Sequence, residues 1–196
     1  MSFDFFDNPI EMVDTWLKEA KASETSDYNA AALSTLSING KPQVRMVLIK
    51  SFNEDGATFF TNLESQKGQA LLYNNFASIC FHWKSLKKQI RVEGEVKLIS
   101  DELADKYFET RSRASQIGAW ASSQSKKLEN RQDLLDKVKS IEEKFQDDRV
   151  RRPSFWSGFC LSPNLIEFWK EGDSRLHDRI EFTKTGKKWN HSLLYP

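Results

Sequence analysis

Apolar residues near the start of the chain recur at a helical period. Four of them fall on one helix face: Ile10, Val13, Trp16 and Leu17. Asp7 or Asn8 can cap the first turn, and the fixed φ of Pro9 suits a first helical position. The pattern therefore predicts a helix over residues 7–22.

From Ala30 the apolar positions follow a strand-like pattern. Residues 31–38 and 43–52 are predicted strands on either side of Asn39-Gly40, a pair that supplies the positive φ values of a tight hairpin turn. A second turn at residues 53–56 leads into a strand over residues 57–63. Three consecutive strands with short connections predict an antiparallel meander.

The rest of the chain inserts helices between strands without a regular alternation of the two. Helices are predicted over residues 65–73, 101–110 and 128–145. Strands are predicted over residues 77–85, 87–100, 155–162, 165–172, 175–185 and 187–195. This order predicts a mainly β (α+β) fold, an antiparallel barrel with peripheral helices, and not a doubly wound sheet. No internal repeat or linker divides the 196 residues, so one domain over residues 1–196 is expected.

Composition narrows the possible partners. Twenty-nine Lys and Arg against 28 Asp and Glu give a formal net charge of +1, so there is no overall basic field to attract nucleic acid, and a bound anion needs a local cluster. Cys80 and Cys160 lie in separate apolar runs without metal-ligand spacing, which favours buried free thiols and no metal site. The N-terminus lacks a signal-peptide pattern, and no run approaches the ~18 apolar residues of a membrane span. A cytoplasmic protein without a membrane partner is expected.

The segment Arg175-Leu176-His177-Asp178-Arg179 carries the strongest chemical signal. On a strand, alternation places Arg175, His177 and Arg179 on one face at intervals of ~6.6–7 Å. Guanidinium groups present donor forks that match phosphate or carboxylate, and a neutral imidazole between them can exchange a proton near pH 7. The alternative is a solvent-exposed edge strand with scattered charge.

A second cluster is spaced for a helix. Tyr107, Arg111 and Ser115 stand at i, i+4 and i+8, so a continuous helix places a phenol, a guanidinium and a hydroxyl on one face. These groups are good phosphate ligands. An exposed polar helix face is the alternative, and Ser115 can also fall beyond the helix end.

A third cluster brackets an apolar strand with the cations Arg45 and Lys50. Cations in such a run need an anionic partner, and alternation places these two on opposite faces, where they serve different groups or one lies in solvent. Lys67 lies near the start of the helix predicted from residue 65, where free backbone N–H groups favour an anion.

Taken together, these segments resemble the pyridoxamine 5′-phosphate oxidase family from about residue 28 to the C-terminus. The matching motifs, in chain order, are RMVLIK (45–50), FFTN (59–62) with SQK (65–67), QIRVEGEV (89–96), YFETRSRASQIGAWAS (107–122), SQS (123–125), PSFWSGF (153–159), IEFW (166–169) and RLHDR (175–179). Their number and order carry the resemblance, since no single motif is decisive.

The resemblance implies an FMN-binding split barrel, an antiparallel β-barrel with helices that forms a homodimer with FMN at the subunit interface. Residues 28–196 are expected to form the barrel, and residues 1–27 an N-terminal helical segment. The implied flavin-binding residues, part of them reaching across from the partner chain, are Arg45, Met46, Val47, Leu48, Ile49, Lys50, Phe60, Thr61, Gln66, Lys67, Gln89, Gln124, Ser125, Trp169 and Arg179.

The same resemblance implies a substrate site and a reaction. The implied substrate-binding residues are Lys50, Tyr107, Arg111 and Ser115 at the phosphate, and Arg175, Leu176 and His177 at the pyridine ring. Arg175 and His177 are the implied catalytic residues. The implied reaction oxidises pyridoxine or pyridoxamine 5′-phosphate to pyridoxal 5′-phosphate with O2 as acceptor, releasing H2O2, and NH3 from the amine.

Three positions depart from the family pattern. Gln66 stands where Arg is common, Phe60 replaces a frequent Tyr, and Leu193 takes the place of a C-terminal Arg. The missing charge at Gln66 predicts looser retention of FMN. Two other functions stay open on this fold, namely a related flavin reductase and a non-catalytic protein that carries FMN or pyridoxal phosphate.

Overall fold

The computed structural model describes residues 8–146 and 148–196, and within them one sheet is surrounded by helices. The helices are α1 (Pro9–Ser23), α2 (Gln66–Tyr73), α3 (Asp101–Glu109), α4 (Arg113–Ala121) and α5 (Arg131–Phe145). The strands are β1 (Ala30–Leu36), β2 (Pro42–Leu48), β3 (Ser51–Asn53), β4 (Gly56–Asn62), β5 (Phe76–Trp83), β6 (Lys88–Leu98), β7 (Trp156–Lys170), β8 (Asp178–Thr185) and β9 (Lys188–Leu193).

The nine described strands pair antiparallel in the order β2-β1-β5-β6-β7-β4-β3, with β8 and β9 branching from β7. One edge of β7 pairs with β6, while its other edge pairs first with β4 and then with β8. The sheet curls so that the chain leaving β2 returns to β4, where the Lys50 amide donates to the Thr58 carbonyl oxygen at 2.8 Å. This half-closed barrel with peripheral helices confirms the predicted fold class.

A bulge in β7, with Asn164 as its extra residue, allows the sheet to curl. The register between β6 and β7 shifts between Glu93 and Gly94. A Cβ at Gly94 would lie 2.0 Å from the Ser162 carbonyl oxygen, so the two backbones approach too closely for any other residue. Bulges of this kind bend a strand and increase its twist.

The main core fills the inner face of the sheet. Leu33, Ile79 and Ile166 are buried there, and α1 covers one end of the core with Trp16, whose ring meets Phe168 edge-on at 5.1 Å. Burying each side chain of this size stabilises the fold by roughly 1.5–3 kcal/mol. A second cluster connects α3, α4 and α5 to the start of β7 through Phe108, Ile117, Val150 and Trp156.

The predicted helices are confirmed with small shifts in their ends. At α1 the Asn8 side chain accepts a hydrogen bond from the Ile10 amide at 3.0 Å, whereas Asp7 lies outside the described residues. Helix α4 was missed because it buries only Ile117 and Ala121, too few positions for a helical period to be recognised.

Two strand predictions were wrong. The predicted meander fails because residues 43–52 do not form one strand: they divide into β2, which pairs with β1, and β3, which pairs with β4 at the other end of the sheet. Turn signals show where the chain reverses. They do not show which strand pairs with the remaining free edge of a hairpin. Residues 155–162 and 165–172, predicted as two strands, form the single strand β7, in which Pro163 lies at the bulge beside Asn164, a position that tolerates proline.

The structure also bears on the two cysteines and on membrane-spanning segments. Cys80 and Cys160 are free, as expected, but both are half-buried and not fully buried. Among the described residues, no helix has the length and apolar character needed to cross a membrane.

Candidate functional site

Strands β2 and β4 face helices α3 and α4 across a cavity of about 640 Å³. Its polar lining includes Lys50, Thr61, Asn62, Lys67, Tyr107, Arg111, Ser112, Ser115, Ser122 and Gln124, and its apolar lining includes Met46, Val47, Leu48, Phe60 and Trp156. No Asp or Glu is among the described residues that line it. We call it the cationic cavity, because Lys50, Lys67 and Arg111 are its charged groups.

The predicted phosphate cluster reaches this cavity without a continuous helix, so the single-helix prediction was wrong. Helix α3 ends at Glu109, and the Ser112 hydroxyl caps α4 by accepting from the Ser115 amide at 3.3 Å. A capping hydroxyl starts a new helix at the point where a continuous one would have passed. Tyr107, Arg111 and Ser115 nevertheless line the same cavity, together with Lys50.

Arg111 is held by aromatic rings and has an unused donor. Its guanidinium carbon lies 4.8 Å from the ring centroid of Trp156 and 5.6 Å from that of Phe108. Its Nη1 atom is buried without a hydrogen-bond partner among the described residues, and burial lowers the pKa of Arg111 from its ordinary value. An unpaired buried N–H of a charged group is costly unless an anion accepts from it. Arg111 is therefore suited to bind an anion in the cavity.

The rings beside Arg111 form a stack that the sequence analysis did not recognise. Phe60 lies between Tyr107, at 3.9 Å between centroids, and Trp156, at 5.4 Å. The planes of Tyr107 and Trp156 differ by 6°. Trp156 contacts both Tyr107 and Arg111, but its place in PSFWSGF is equally typical of a core aromatic. The departure at Phe60 removes a hydroxyl and keeps the ring that stacks.

Lys67 lies at the start of α2 with its ammonium group held by neutral oxygens. Its Nζ atom donates to Gln124 Oε1 at 3.0 Å and to Thr61 Oγ1 at 3.3 Å. Burial, and secondly the charge of Arg45, lowers the pKa of Lys67. Because no carboxylate of residues 8–146 or 148–196 lines the cavity beside this ammonium group, it is a second place where an anion is favoured.

Some residues of the implied flavin set do not line the cationic cavity. Arg45 donates to Thr35 Oγ1 at 2.7 Å and to Gln43 Oε1 at 3.2 Å, and it pairs in register with the core residue Leu33. Ile49 is buried in the core, whereas Gln66 and Ser125 are exposed. Strand β2 ends at Leu48, so the predicted alternation between Arg45 and Lys50 does not extend to Lys50.

A second group of implied site residues lies elsewhere on the sheet, on strands β6, β7 and β8. Gln89 pairs with Trp169, and Trp169 with Arg179, so the three side chains share one face. That face points away from the core, since the alternate residues Ile90 and Phe168 are buried in it. We call it the outer sheet face. None of these three residues lines the cationic cavity of its own chain, nor do Arg175, Leu176 and His177.

The prediction that Arg175, His177 and Arg179 share one strand face was wrong. Strand β8 begins only at Asp178, and Asp173–Arg175 forms a 3₁₀ turn in which the Leu176 amide donates to the Asp173 carbonyl oxygen at 2.9 Å. This tight turn replaces the expected alternation. Arg175 and Leu176 are exposed, and the half-buried ring of His177 lies 4.6 Å from that of Trp169.

Glu167 organises the outer sheet face and was also missed. Its side chain is 4% exposed and accepts from Nε and Nη2 of Arg179, both at 2.7 Å. Its other oxygen lies 2.7 Å from Nη2 of Arg91. The sequence did contain a signal for this residue, namely a carboxylate within the apolar run IEFW. Because charged side chains are rarely buried unless they are paired, such a carboxylate indicates a buried ion pair. Glu167 therefore orients Arg179.

A larger cavity of about 910 Å³ lies beside α3 and α5 and is a poorer anion site. Two of its lining arginines are already paired, Arg149 with Glu109, and Arg152 with Asp101 and Asp105. Its cations are therefore partly neutralised by carboxylates, which the cationic cavity lacks.

Comparison with known proteins identifies the family. Residues 17–145 match the family model described as pyridoxamine 5′-phosphate oxidase, and residues 156–196 match the pyridoxine 5′-phosphate oxidase C-terminal dimerisation region. The chain is 49% identical to the pyridoxine/pyridoxamine 5′-phosphate oxidase of Allorhizobium ampelinum, over 98% of this chain and 96% of that protein. It is 48% identical to the enzyme of the same name from Pelagibacter ubique, over 96% and 92% of the two chains.

Solved structures agree on the fold. PhzG from Burkholderia lata, in complex with tetrahydrophenazine-1-carboxylic acid, has a TM-score of 0.93 at 27% identity, over 100% of this chain and 98% of that one. A pyridoxamine 5′-phosphate oxidase-related, FMN-binding protein from Nostoc punctiforme has a TM-score of 0.76 at 17% identity, over 95% and 96%, which supports the fold alone. The predicted split barrel is confirmed, and the dimerisation region supports a homodimer that acts on a small molecule. This chain belongs to the pyridoxamine 5′-phosphate oxidase family.

Proposed function

We propose that this protein is an FMN-dependent oxidase that converts pyridoxine and pyridoxamine 5′-phosphate to pyridoxal 5′-phosphate. O2 is the electron acceptor, H2O2 is released, and the amine substrate also yields NH3. The observation that carries the proposal is the buried, unpartnered Nη1 of Arg111 beside Tyr107 and Ser115, in a cavity without carboxylates. The relatives near 49% identity are named for this activity.

The residues of the cationic cavity fit FMN. Lys67, Thr61 and Gln124 offer an ammonium group, a hydroxyl and an amide to a phosphate-bearing group, while Met46 and Leu48 offer apolar surface to a ring. The remaining cations, Lys50 and Arg111, and the hydroxyls of Tyr107 and Ser115 then bind the substrate phosphate. When bound, FMN supplies the two-electron oxidation, which no side chain of this chain can supply.

We further propose that the partner chain completes each site. Gln89, Trp169 and Arg179 lie on the outer sheet face, and Arg175 and His177 on the loop before β8, all outside the cationic cavity of their own chain. A two-fold dimer can bring this region of one chain to the cavity of the other, and does so twice. The family's dimerisation region spans residues 156–196, which include four of these five residues.

In this arrangement the protein binds and orients the substrate. Lys50, Tyr107, Arg111 and Ser115 hold the phosphate, and the stack with Trp156 keeps the Arg111 plane fixed. Holding reactants in place can contribute as much as ~7–11 kcal/mol to catalysis. The aromatic walls exclude water, which strengthens each ionic contact made inside the cavity.

The activity is tested by the absorbance of the purified protein. A yellow flavin spectrum that pyridoxine 5′-phosphate bleaches without oxygen, and that air restores, is expected. Bleaching by a reduced nicotinamide but not by pyridoxine 5′-phosphate would instead indicate a flavin reductase. No bleaching by either compound would indicate a non-catalytic carrier.

The shared site is tested by mixing inactive subunits. Arg111→Ala and Arg175→Ala chains, co-expressed with different tags, should recover about one quarter of wild-type activity, since half of the dimers are mixed and each mixed dimer has one intact site. The matched control is Arg111→Ala with Tyr107→Ala, which damages the cavity of both chains and should recover nothing. Failure of the first pair to recover activity would place both arginines in a site within one chain.

A further inference from the structure

The imidazole of His177 accepts a hydrogen bond from the backbone. The Gly172 amide donates to Nδ1 of His177, with 3.2 Å between the two nitrogens. A ring nitrogen that accepts from an N–H group cannot carry a proton of its own. In neutral His177 the proton is therefore on Nε2.

The loop between β7 and β8 holds this amide in position. A Cβ at Gly172 would lie 2.0 Å from the carbonyl oxygen of Leu176, so the loop closes on itself where only glycine fits. Ser174 and Arg175 adopt positive φ values of 53° and 64°, a conformation that non-glycine residues adopt at a cost. The tight closure brings the Gly172 amide within reach of the residue five positions later.

A second contact orients the His177 ring from the sheet side. Trp169, near the end of β7, has its ring centroid 4.6 Å from that of His177, with 47° between the planes. With Nδ1 occupied by Gly172 and the ring against Trp169, Nε2 is the nitrogen left to meet another molecule.

We infer that His177 meets the substrate as a hydrogen-bond donor through Nε2–H, and that the backbone amide of Gly172 sets this tautomer. The inference rests on the proposed function, in which His177 contacts the substrate ring. In this role the Nε2–H group of His177 donates to an oxygen or nitrogen acceptor of the substrate. The same tautomer excludes His177 as the group that removes a proton from the substrate. That role requires an unprotonated Nε2, and therefore a proton on Nδ1, where the Gly172 N–H already points.

Nitrogen NMR on the FMN-loaded dimer tests the tautomer without any turnover. The chain has three histidines, so the imidazole signals are few, and the pattern lost in His177→Gln identifies His177. At alkaline pH, where imidazoles are neutral, a protonated Nε2 and an unprotonated Nδ1 are expected. The opposite tautomer, or a mixture of both, would overturn the inference.

Two amide variants test the role in the reaction. The amide nitrogen of Gln reaches about as far as Nε2, and that of Asn only as far as Nδ1, while neither amide can take up a proton. His177→Gln should keep kcat/KM within about tenfold of wild type, and His177→Asn should lose about tenfold more, the worth of one hydrogen bond. Flavin content is measured for each variant, and His191→Gln is the histidine control.

The outcomes separate this inference from the function on which it rests. Equal and large losses in both amide variants would show that His177 accepts a proton, and would overturn the inference while the oxidase activity stands. A wild-type protein that does not oxidise pyridoxine 5′-phosphate would refute the proposed function, whatever tautomer the NMR spectrum shows.

Discussion

The cationic cavity and the outer sheet face both contain several cations, but these cations are paired with carboxylates only on the outer sheet face. Within the part of the chain that the structure describes, Arg111 has a buried donor without a partner in the cavity, and no lining carboxylate neutralises Arg111 or Lys67. On the outer sheet face, Glu167 pairs with both Arg91 and Arg179. Unpaired cations mark a place where an anion binds, whereas paired cations mark side chains that are held in a set orientation.

Arg179 differs from Arg111 in that its N–H donors are bonded to other groups of the protein. A guanidinium group has five N–H donors. Two of those of Arg179 go to Glu167, and one on Nη1 goes to the Tyr195 carbonyl oxygen at 2.9 Å. The donors that remain point in directions set by these three bonds. The outer sheet face can therefore present Arg179 to a flavin without leaving its charge unpaired.

The largest effect is expected in the exposed loop before β8, which belongs to neither of these two regions. Arg175→Ala should lower kcat by about 10²–10³, the range for losing one charge-stabilising donor, while FMN retention changes little, because we propose that Arg175 contacts the substrate and not the flavin. Stopped-flow flavin reduction and flavin content measure the two quantities. Equal losses in both would make Arg175 a flavin ligand or a structural residue.

A large effect is also expected from Arg111→Met in the cationic cavity. KM for the phosphorylated substrate should rise about 10–100-fold, since a hydrogen bond to a charged group is lost. The flavin-free protein should unfold at a higher temperature, because the unpaired buried N–H is gone. Arg113→Met is the matched control, since Arg113 is exposed, outside the cavity and bonded to the Asp148 carbonyl oxygen at 2.8 Å. An unchanged KM in Arg111→Met would contradict the anion-binding role.

A moderate effect is expected from Glu167→Gln on the outer sheet face. The dissociation constant of FMN should rise about tenfold, because Arg179 loses a charged partner that orients it. Glu181→Gln is the control, since Glu181 pairs in register with Glu167 and lies 4.0 Å from Arg91 but does not contact Arg179 through any described ion pair. Fluorescence titration measures both. Equal affinities for the two variants would show that Glu167 has no orienting role.

The smallest effect is a pH dependence that comes from Lys67. Its pKa in the flavin-free protein is lowered by burial, so FMN affinity should fall as pH rises through this value, below the ordinary 10.5. In the window between the two pKa values, the unfolded chain binds more protons than the folded one, so the contribution of Lys67 to stability rises with pH. Lys67→Met should remove both trends. FMN titrations and thermal unfolding between neutral and alkaline pH measure them.

The positions of the candidate site residues show how much a local sequence pattern can predict. Tyr107, Arg111 and Ser115 were expected to act together, and they line one cavity, although the helix expected to carry them is broken by the Ser112 cap. The equivalent argument for Arg175 and His177 failed, because a contact between Gly172 and Leu176 closes a turn that alternation does not predict. Both errors arose where a side-chain or backbone hydrogen bond outweighed periodicity.

The sequence by itself determined the mixed pattern of strands and helices, the family, and the residue types that bind phosphate, because these depend on periodicity and on motif order. Only the tertiary structure decided that Arg111 has a donor left unpaired by the described residues, that Glu167 pairs with Arg179, and that the Gly172 amide donates to Nδ1 of His177. Each of these depends on which atoms meet across distant parts of the chain or across a tightly closed loop. Such contacts are set by strand register and packing, which local sequence does not encode.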